Sequence, residues 1–203
     1  MDEALRVLER GAVVAAGTES FFGLMVDATR PDAIDRLLAL KPRGADKGIP
    51  VIVPTRAAWY GLVTEVPPLA ERLADRFWPG PLSIAVTAAS TVDRRLALGG
   101  RIAVRLPGGC PAADLARAFG RPLTATSANP AGAAPTTTAA QVRSAFGRVE
   151  ASELYVLEGT APGGPASTVV VVSRSGYRVV RPGRIPLAQI AVAAGLDPGQ
   201  RKR

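Results

Sequence analysis

The residues best suited to chemistry in this sequence are Lys41, Arg43 and Lys47, in the stretch "LKPRGADKGIPVIV" from Leu40 to Val53. Of 25 Lys plus Arg, only Lys41, Lys47 and Lys202 are lysine, so both lysines outside the terminal "RKR" flank Arg43 in one short loop. A lysine is a compact, rotatable point charge and an arginine a planar fork. Together they suit the uneven oxygens of a polyphosphate. A solvated basic loop at a helix C-terminus, where cations complement the macrodipole, is the reading that the charges alone leave open beside it.

Two arginines fall inside strand-like text. Arg105, in "IAVRLP", lies opposite the face shared by Val104 and Leu106 if period-2 alternation holds. An inward-facing arginine there needs an anionic partner. Arg181 ends "YRVVRPG" just before a Pro-Gly turn. Four polar stretches stand at expected strand ends, where the loops of an α/β sheet converge on a ligand. These are "GTES" with Thr18, the lysine loop, "TSAN" with Ser127 and Asn129, and "AST" with Ser167 and Thr168. Each taken alone also reads as a cap or a turn.

Composition narrows the chemistry. The chain has no histidine and one cysteine, Cys110, so it cannot build a Ser-His-Asp or Cys-His nucleophile, a histidine metal site or an internal disulfide. An enzyme made from it must take its nucleophile from a substrate and work by positioning and electrostatics. No "GxxxxGK[ST]" occurs and no "GxGxxG" follows a strand, so phosphate is held in some other way. The net charge of +8 favours polyanionic partners, although the basic residues are dispersed and an aromatic content of 5% gives few platforms for base stacking. The longest apolar runs, "GAVVAAG" and "STVVVVS", are far short of the roughly 20 residues needed to cross a bilayer. With the acidic, amphipathic "MDEALRVLERG" at the N-terminus, a soluble cytoplasmic protein without a signal peptide or membrane partner is expected.

The elements that would position these residues follow from periodicity. A first helix places Leu5 and Leu8 on one face and stops at Gly11, and "AVVAA" at 12–16 is a buried strand. "GTESFFGLMVDAT" reads as a loop. Thr29 is expected to cap a helix with Pro31 in its first turn, which ends at the lysine loop. "IPVIVP" at 49–54 is a strand, a helix runs from Pro68 to Trp78, and "LSIAVTA" and "RIAVRLP" are strands. Gly120 and Gly147 are expected to close the helices "CPAADLARAFG" and "TTTAAQVRSAFG", with "PLTATSAN" a strand running into a loop between them. "ELYVLEG", "STVVVVS" and "YRVVRPG" finish the strands, and an amphipathic piece covers Leu187 to Ala194. "EGTAPGGPAS" at 158–167 is a flexible loop by its Gly and Pro content. The pattern predicts an α/β fold with one twisted, mixed, partly antiparallel sheet flanked by helices. One domain is expected over 1–203, with its core at about 5–185 and an amphipathic segment and basic tail at 186–203.

Taken in order, "GTESFFGLMVDAT…LLALKPRGADK…FWPGPLSI…AVRLP…PLTATSAN…PTT…STVV…RPG" closely resembles the YrdC/Sua5/TsaC family of L-threonylcarbamoyladenylate synthases. The resemblance runs from about Val13 to Gly183 and is to the short, single-domain version. It implies a YrdC-like fold with a basic concave cleft. The implied enzyme is a nucleotidyltransferase joining ATP, L-threonine and bicarbonate into threonylcarbamoyl-AMP with release of pyrophosphate, for the t6A modification of tRNA. Lys41 and Arg43 match the family's KxR motif and are expected to be the catalytic clamp on ATP. Lys47, Asn129, Thr137 and Arg181 are expected to join them at the nucleotide. Thr18, Arg105, Ser127 and Ser167 are expected at threonine. Mg2+ is the implied cofactor, with no protein metal ligand evident in the sequence, and RNA or tRNA and the t6A transfer machinery are implied partners. The sequence departs from the family pattern at several points. "PTETVYGL" appears as "GTESFFGL", "SANLSG" as "SANPAG", no histidine stands near Val53, and Ala166 replaces a glutamate. Two other readings stay open: a paralogue that adenylates a different carbamoyl or acyl substrate, and an RNA-binding module without turnover.

Overall fold

The structure, a computed structural model, describes residues 1–42, 48–150 and 152–195. Arg43 and Lys47, and the tail from 196 onward, lie outside the described residues. The chain opens with α1 (Asp2–Glu9), whose Ala4, Val7 and Leu8 are buried while Asp2 and Glu3 complement the N-terminal dipole. Gly11, with φ +76°, then turns the chain into β1 (Val13–Gly17), buried at every position. Alternation divides that strand between two cores. Val13 and Ala15 face one apolar cluster, and Val14 and Ala16 face a second cluster beneath α1.

The "FFGLMV" run forms β2 (Phe22–Met25), antiparallel to β1, where a loop was expected. The run is too short and too interrupted by Gly23 to show a period, but pairing with β1 buries all four residues. A second correction concerns α2 (Pro31–Leu40). Arg30 is its N-cap residue without a side-chain cap, because Thr29 turns away to Asp27. The Thr29 amide and hydroxyl both donate to Asp27 Oδ1, at 2.9 and 2.6 Å, and a fully buried carboxylate claims such donors before a helix end does. Asp27 Oδ2 makes no hydrogen bond but lies 3.3 Å from Arg121 Nε.

The remaining elements are β3 (Val51–Ile52), shorter than the expected 49–54, α3 (Arg56–Tyr60), α4 (Pro68–Phe77), β4 (Leu82–Thr87), β5 (Ala97–Leu98), β6 (Arg101–Arg105), α5 (Pro111–Phe119), β7 (Leu123–Thr124), β8 (Thr126–Ser127), α6 (Ala139–Ala145), β9 (Leu154–Val156), β10 (Thr168–Ser173), β11 (Gly176–Arg181) and α7 (Leu187–Ala193). α5 ends at Gly120 with φ +74°, as expected. α6 starts with a capping box between Thr138 and Gln141 and ends one residue before Phe146, its C-cap, so Gly147 lies just beyond.

The mixed sheet is in two parts. Four strands run in the order β8-β2-β1-β9, and a seven-stranded sheet runs β11-β10-β4-β6-β3-β7, with β5 on β6. The chain passes from the larger to the smaller at Ala125, between β7 and β8. Buried Thr124 ties the crossing, accepting from the Val26 amide at 3.0 Å. The larger apolar cluster takes residues from both sheets, among them Val13 and Leu24 from one and Val51, Ile84 and Val104 from the other. No helix of the described residues is long and apolar enough to cross a membrane.

Candidate functional site

Lys41 is the C-cap residue of α2, with φ −131° and ψ 84°, so its side chain leaves the helix direction as the helix ends. It is 8% exposed and crosses to the "TSAN" segment. Its Nζ donates to the Ser127 carbonyl at 2.6 Å, to Ser127 Oγ at 3.0 Å and to Asn129 Oδ1 at 3.3 Å. The Asn129 Nδ2 donates to the carbonyls of Pro130 and Ala133, at 3.1 and 2.6 Å, which fixes the amide with its oxygen toward the lysine. The short β8 makes this possible, since Ser127 pairs with Gly23 at the edge of the smaller sheet.

Thr18 follows β1 directly. Its hydroxyl donates to the Phe21 carbonyl at 2.8 Å and accepts from the Ser20 amide at 3.3 Å, a local turn that gives the "GTES" loop its shape. The methyl of Thr18 lies within 3.6 Å of where a Cβ on Gly23 would stand, so this loop adjoins β2, the strand paired with the one that carries Ser127. On its other side the loop holds Arg105. The side chains of Arg105 and Glu19 are 9% and 13% exposed and form an ion pair. Arg105 is therefore an inward strand arginine, and its anionic partner is a residue that sequence reasoning passed over. The second Glu19 oxygen accepts from the Gly108 amide at 2.8 Å, and Cys110 Sγ lies 3.7 Å from the first.

Electrostatics follow from this packing. Burial would raise the Glu19 pKa, but the Arg105 charge and the Gly108 amide outweigh it and hold the carboxyl below its ordinary 4.5. Burial, with the Glu19 carboxylate adding to it, pushes the Cys110 thiol up to about 11. That thiol is a poor nucleophile at neutral pH.

A third group gathers at the start of β10. Arg181, the last residue of β11, donates through Nε and one terminal nitrogen to the Ser167 carbonyl, at 3.1 and 2.9 Å, and through the latter nitrogen to Ser167 Oγ at 2.9 Å. Ser83 Oγ, on β4, stands 3.3 Å from Ser167 Oγ. Arg181 keeps part of its surface in solvent, yet its guanidinium is crowded. Burial lowers its pKa, and the like charge of Arg105 lowers it further, which puts the two arginines within electrostatic reach of each other. Gly183 makes the crowding sterically possible. A Cβ there would stand 2.3 Å from the Ala166 carbonyl oxygen and 2.6 Å from the Ser167 carbonyl carbon.

Thr137 is drawn to the start of α6, where its amide and hydroxyl both meet Gln141 Oε1, at 2.7 and 3.2 Å. The 158–167 segment is a loop, as its composition suggested, and it is tied down. Ala161 donates to the Thr137 carbonyl at 2.7 Å, Gly163 to the Ser20 carbonyl at 2.7 Å, and Arg184 to the Gly163 carbonyl at 2.7 Å. The structure thus brings Lys41, Ser127 and Asn129 together, sets Thr18 and Arg105 on the two sides of one loop, and joins Arg181 to Ser167. Sequence reasoning missed Glu19 and Ser83. The one signal available for Glu19 was the need of an inward Arg105 for an anion.

The Sua5/YciO/YrdC family model, described as "Telomere recombination", matches residues 6–183. A threonylcarbamoyl-AMP synthase of Thiobacillus denitrificans is 40% identical over 142 residues, 69% of this chain and 75% of that protein. One of Nitrosococcus oceani is 36% identical over 182 residues, 87% of this chain and 94% of that protein. Among solved structures, Sua5 of P. abyssi complexed with L-threonine superposes with a TM-score of 0.84 at 31% identity, covering 95% of this chain. The chain spans 56% of that longer protein.

Proposed function

Because this chain belongs to the Sua5/YciO/YrdC family, we propose that it is a threonylcarbamoyl-AMP synthase, a nucleotidyltransferase acting in the cytoplasm on ATP, L-threonine and bicarbonate. The observation that carries the reading is the convergence of Lys41 on Ser127 and Asn129, beside a loop whose Glu19 holds Arg105. It puts a buried ammonium from the end of α2 against β8 and a buried guanidinium at the end of β6, the charges that an anionic nucleotide and an amino-acid carboxylate require.

The threonine amine combines with CO2 from bicarbonate to form a carbamate and release a proton. A carbamate oxygen then attacks the α-phosphorus of ATP, and the bond to the β-phosphate oxygen breaks to release pyrophosphate. Both nucleophiles belong to substrates, which suits a chain without histidine. Lys41, with Arg43 and Lys47, holds the phosphates in a basic cleft and offsets the charge that builds on the leaving pyrophosphate. Arg105 takes the threonine carboxylate, Thr18, Ser127 and Ser167 border the amino acid, and Asn129, Thr137 and Arg181 border the nucleotide. Among the described residues no group of three or more carboxylate or cysteine side chains is placed to hold a metal. Mg2+ would come with ATP on its phosphates, where it would neutralise charge on the leaving group. The product would feed the t6A modification of tRNA through a separate transfer machinery.

The test is pyrophosphate release from ATP, Mg2+ and bicarbonate with and without L-threonine, with the adenylate mass measured. Threonine-dependent release and the mass of threonylcarbamoyl-AMP are expected. ATP binding without threonine dependence would overturn the substrate assignment and favour a paralogue.

A further inference from the structure

Glu19 is the only acidic side chain among the described residues that forms an ion pair with Arg105, and it has no function in the reaction described above. We propose that Glu19 is a positioning residue: it holds one edge of the Arg105 guanidinium so that the remaining N–H donors face a single substrate carboxylate. The proposal rests on the synthase reading, since it deepens the role given there to Arg105.

Three observations point the same way. Glu19 is anchored independently of Arg105, because its other oxygen takes the Gly108 amide at 2.8 Å and its backbone belongs to the turn shaped by Thr18. A carboxylate fixed from two sides can aim a long side chain, whereas a mobile one would only follow it. Secondly, guanidinium has five N–H donors, and the Glu19 pair engages Nη1 while leaving other donors for a ligand. Thirdly, Arg105 and Arg181 are within electrostatic reach of each other, since the like charge of Arg105 adds to the burial that lowers the Arg181 pKa. The charge of Glu19 offsets one of the two cations and leaves a single net positive charge, matched to a monocarboxylate such as the carboxylate of an α-amino acid.

A stapling role for Glu19, linking the 18–21 turn to the 107–110 turn, would also explain its burial, so the test must separate staple from positioning. Pyrophosphate release is measured with L-threonine and then ATP as the varied substrate, in wild type, Glu19→Gln, Arg105→Lys and the double variant, with thermal midpoints alongside. Glu19→Gln is expected to raise the KM for threonine at least about tenfold with a much smaller change in kcat, and to leave the KM for ATP within about twofold. In the Arg105→Lys background it should add less than about twofold, since no guanidinium remains to be aimed. Glu19→Asp, which keeps the charge but shortens the reach, should fall between, and it carries the test if Glu19→Gln does not fold. An unchanged threonine KM, an equal rise in the KM for ATP, or independent effects in the double variant would overturn the proposal. Wild-type protein with no threonine-dependent release would overturn the synthase reading itself, and this proposal with it.

Discussion

Two carboxylates in this chain, the buried Asp27 and the largely buried Glu19, are each set against an arginine, and their surroundings differ in kind. Asp27 is completely buried, spends one oxygen on the backbone and hydroxyl of Thr29, and meets Arg121 only at 3.3 Å without a hydrogen bond. Its partners are those of a turn ahead of a helix. Glu19 spends one oxygen on a backbone amide and gives the other to a strand arginine whose remaining donors are open to a ligand. Burial of a charge therefore says little about function by itself. What matters is whether the partner is consumed by the pair or left able to bind something else.

That contrast can be broken in several ways. The largest effect is expected at Lys41, where Lys41→Ala removes three donors from Ser127 and Asn129. It should cut kcat/KM by about a hundredfold or more while the circular dichroism spectrum persists, and near-normal turnover would remove the phosphate role. Asp27→Ala should cost about 2–3 kcal/mol of stability in urea unfolding, with kcat of the folded fraction kept. A large loss of kcat at preserved stability would erase the distinction from Glu19.

Gly183→Ala should combine both effects, at about 1–3 kcal/mol, since its methyl group would push Ser167 and with it Arg181. Stability and turnover both unchanged would show that the backbone there yields without cost. Acid titration tests the Glu19 pair directly. The folded Glu19 pKa is lowered, so its contribution is fully present above the ordinary 4.5 and is lost as the pH falls through the lowered value. Wild type should lose more stability than Glu19→Gln over that acid interval, and parallel curves would mean that the pair contributes nothing net. The smallest effect is at Cys110, whose thiol, raised to about 11, should react with iodoacetamide far more slowly at pH 8 than a free cysteine does. Fast alkylation of folded protein would show that the Glu19 cluster opens readily.

Much of the frame could be read from periodicity. α4 and α5 announce themselves by apolar spacing between proline and a stop signal, and β10 by its apolar β-branched run, which the structure divides into alternately buried and half-buried residues. β2 escaped because Phe22–Met25 is buried on both faces and so has no alternation to read. α3 escaped because five residues are too few to show a helical period. The candidate site divides in the same way. Arg105, Ser167 and Arg181 stand at strand ends visible in the text, but the link from Arg105 to Glu19 spans 86 residues and no local pattern encodes it. Ser83 lies within an apolar strand run, where nothing distinguishes it until Ser167 is brought beside it.

The passage at Ala125 has a consequence for how the molecule comes apart. Leu123 and Thr124 complete one edge of the larger sheet, and Thr126 and Ser127 complete one edge of the smaller, so a single pentapeptide centred on one alanine closes both. Neither edge can be released without pulling on the other, and the Thr124 hydroxyl bonded to the Val26 amide reinforces the coupling. The slowest-exchanging amides of β1 and of β4 should therefore report the same opening free energy, a single cooperative unit whose seam runs through the segment that grips Lys41.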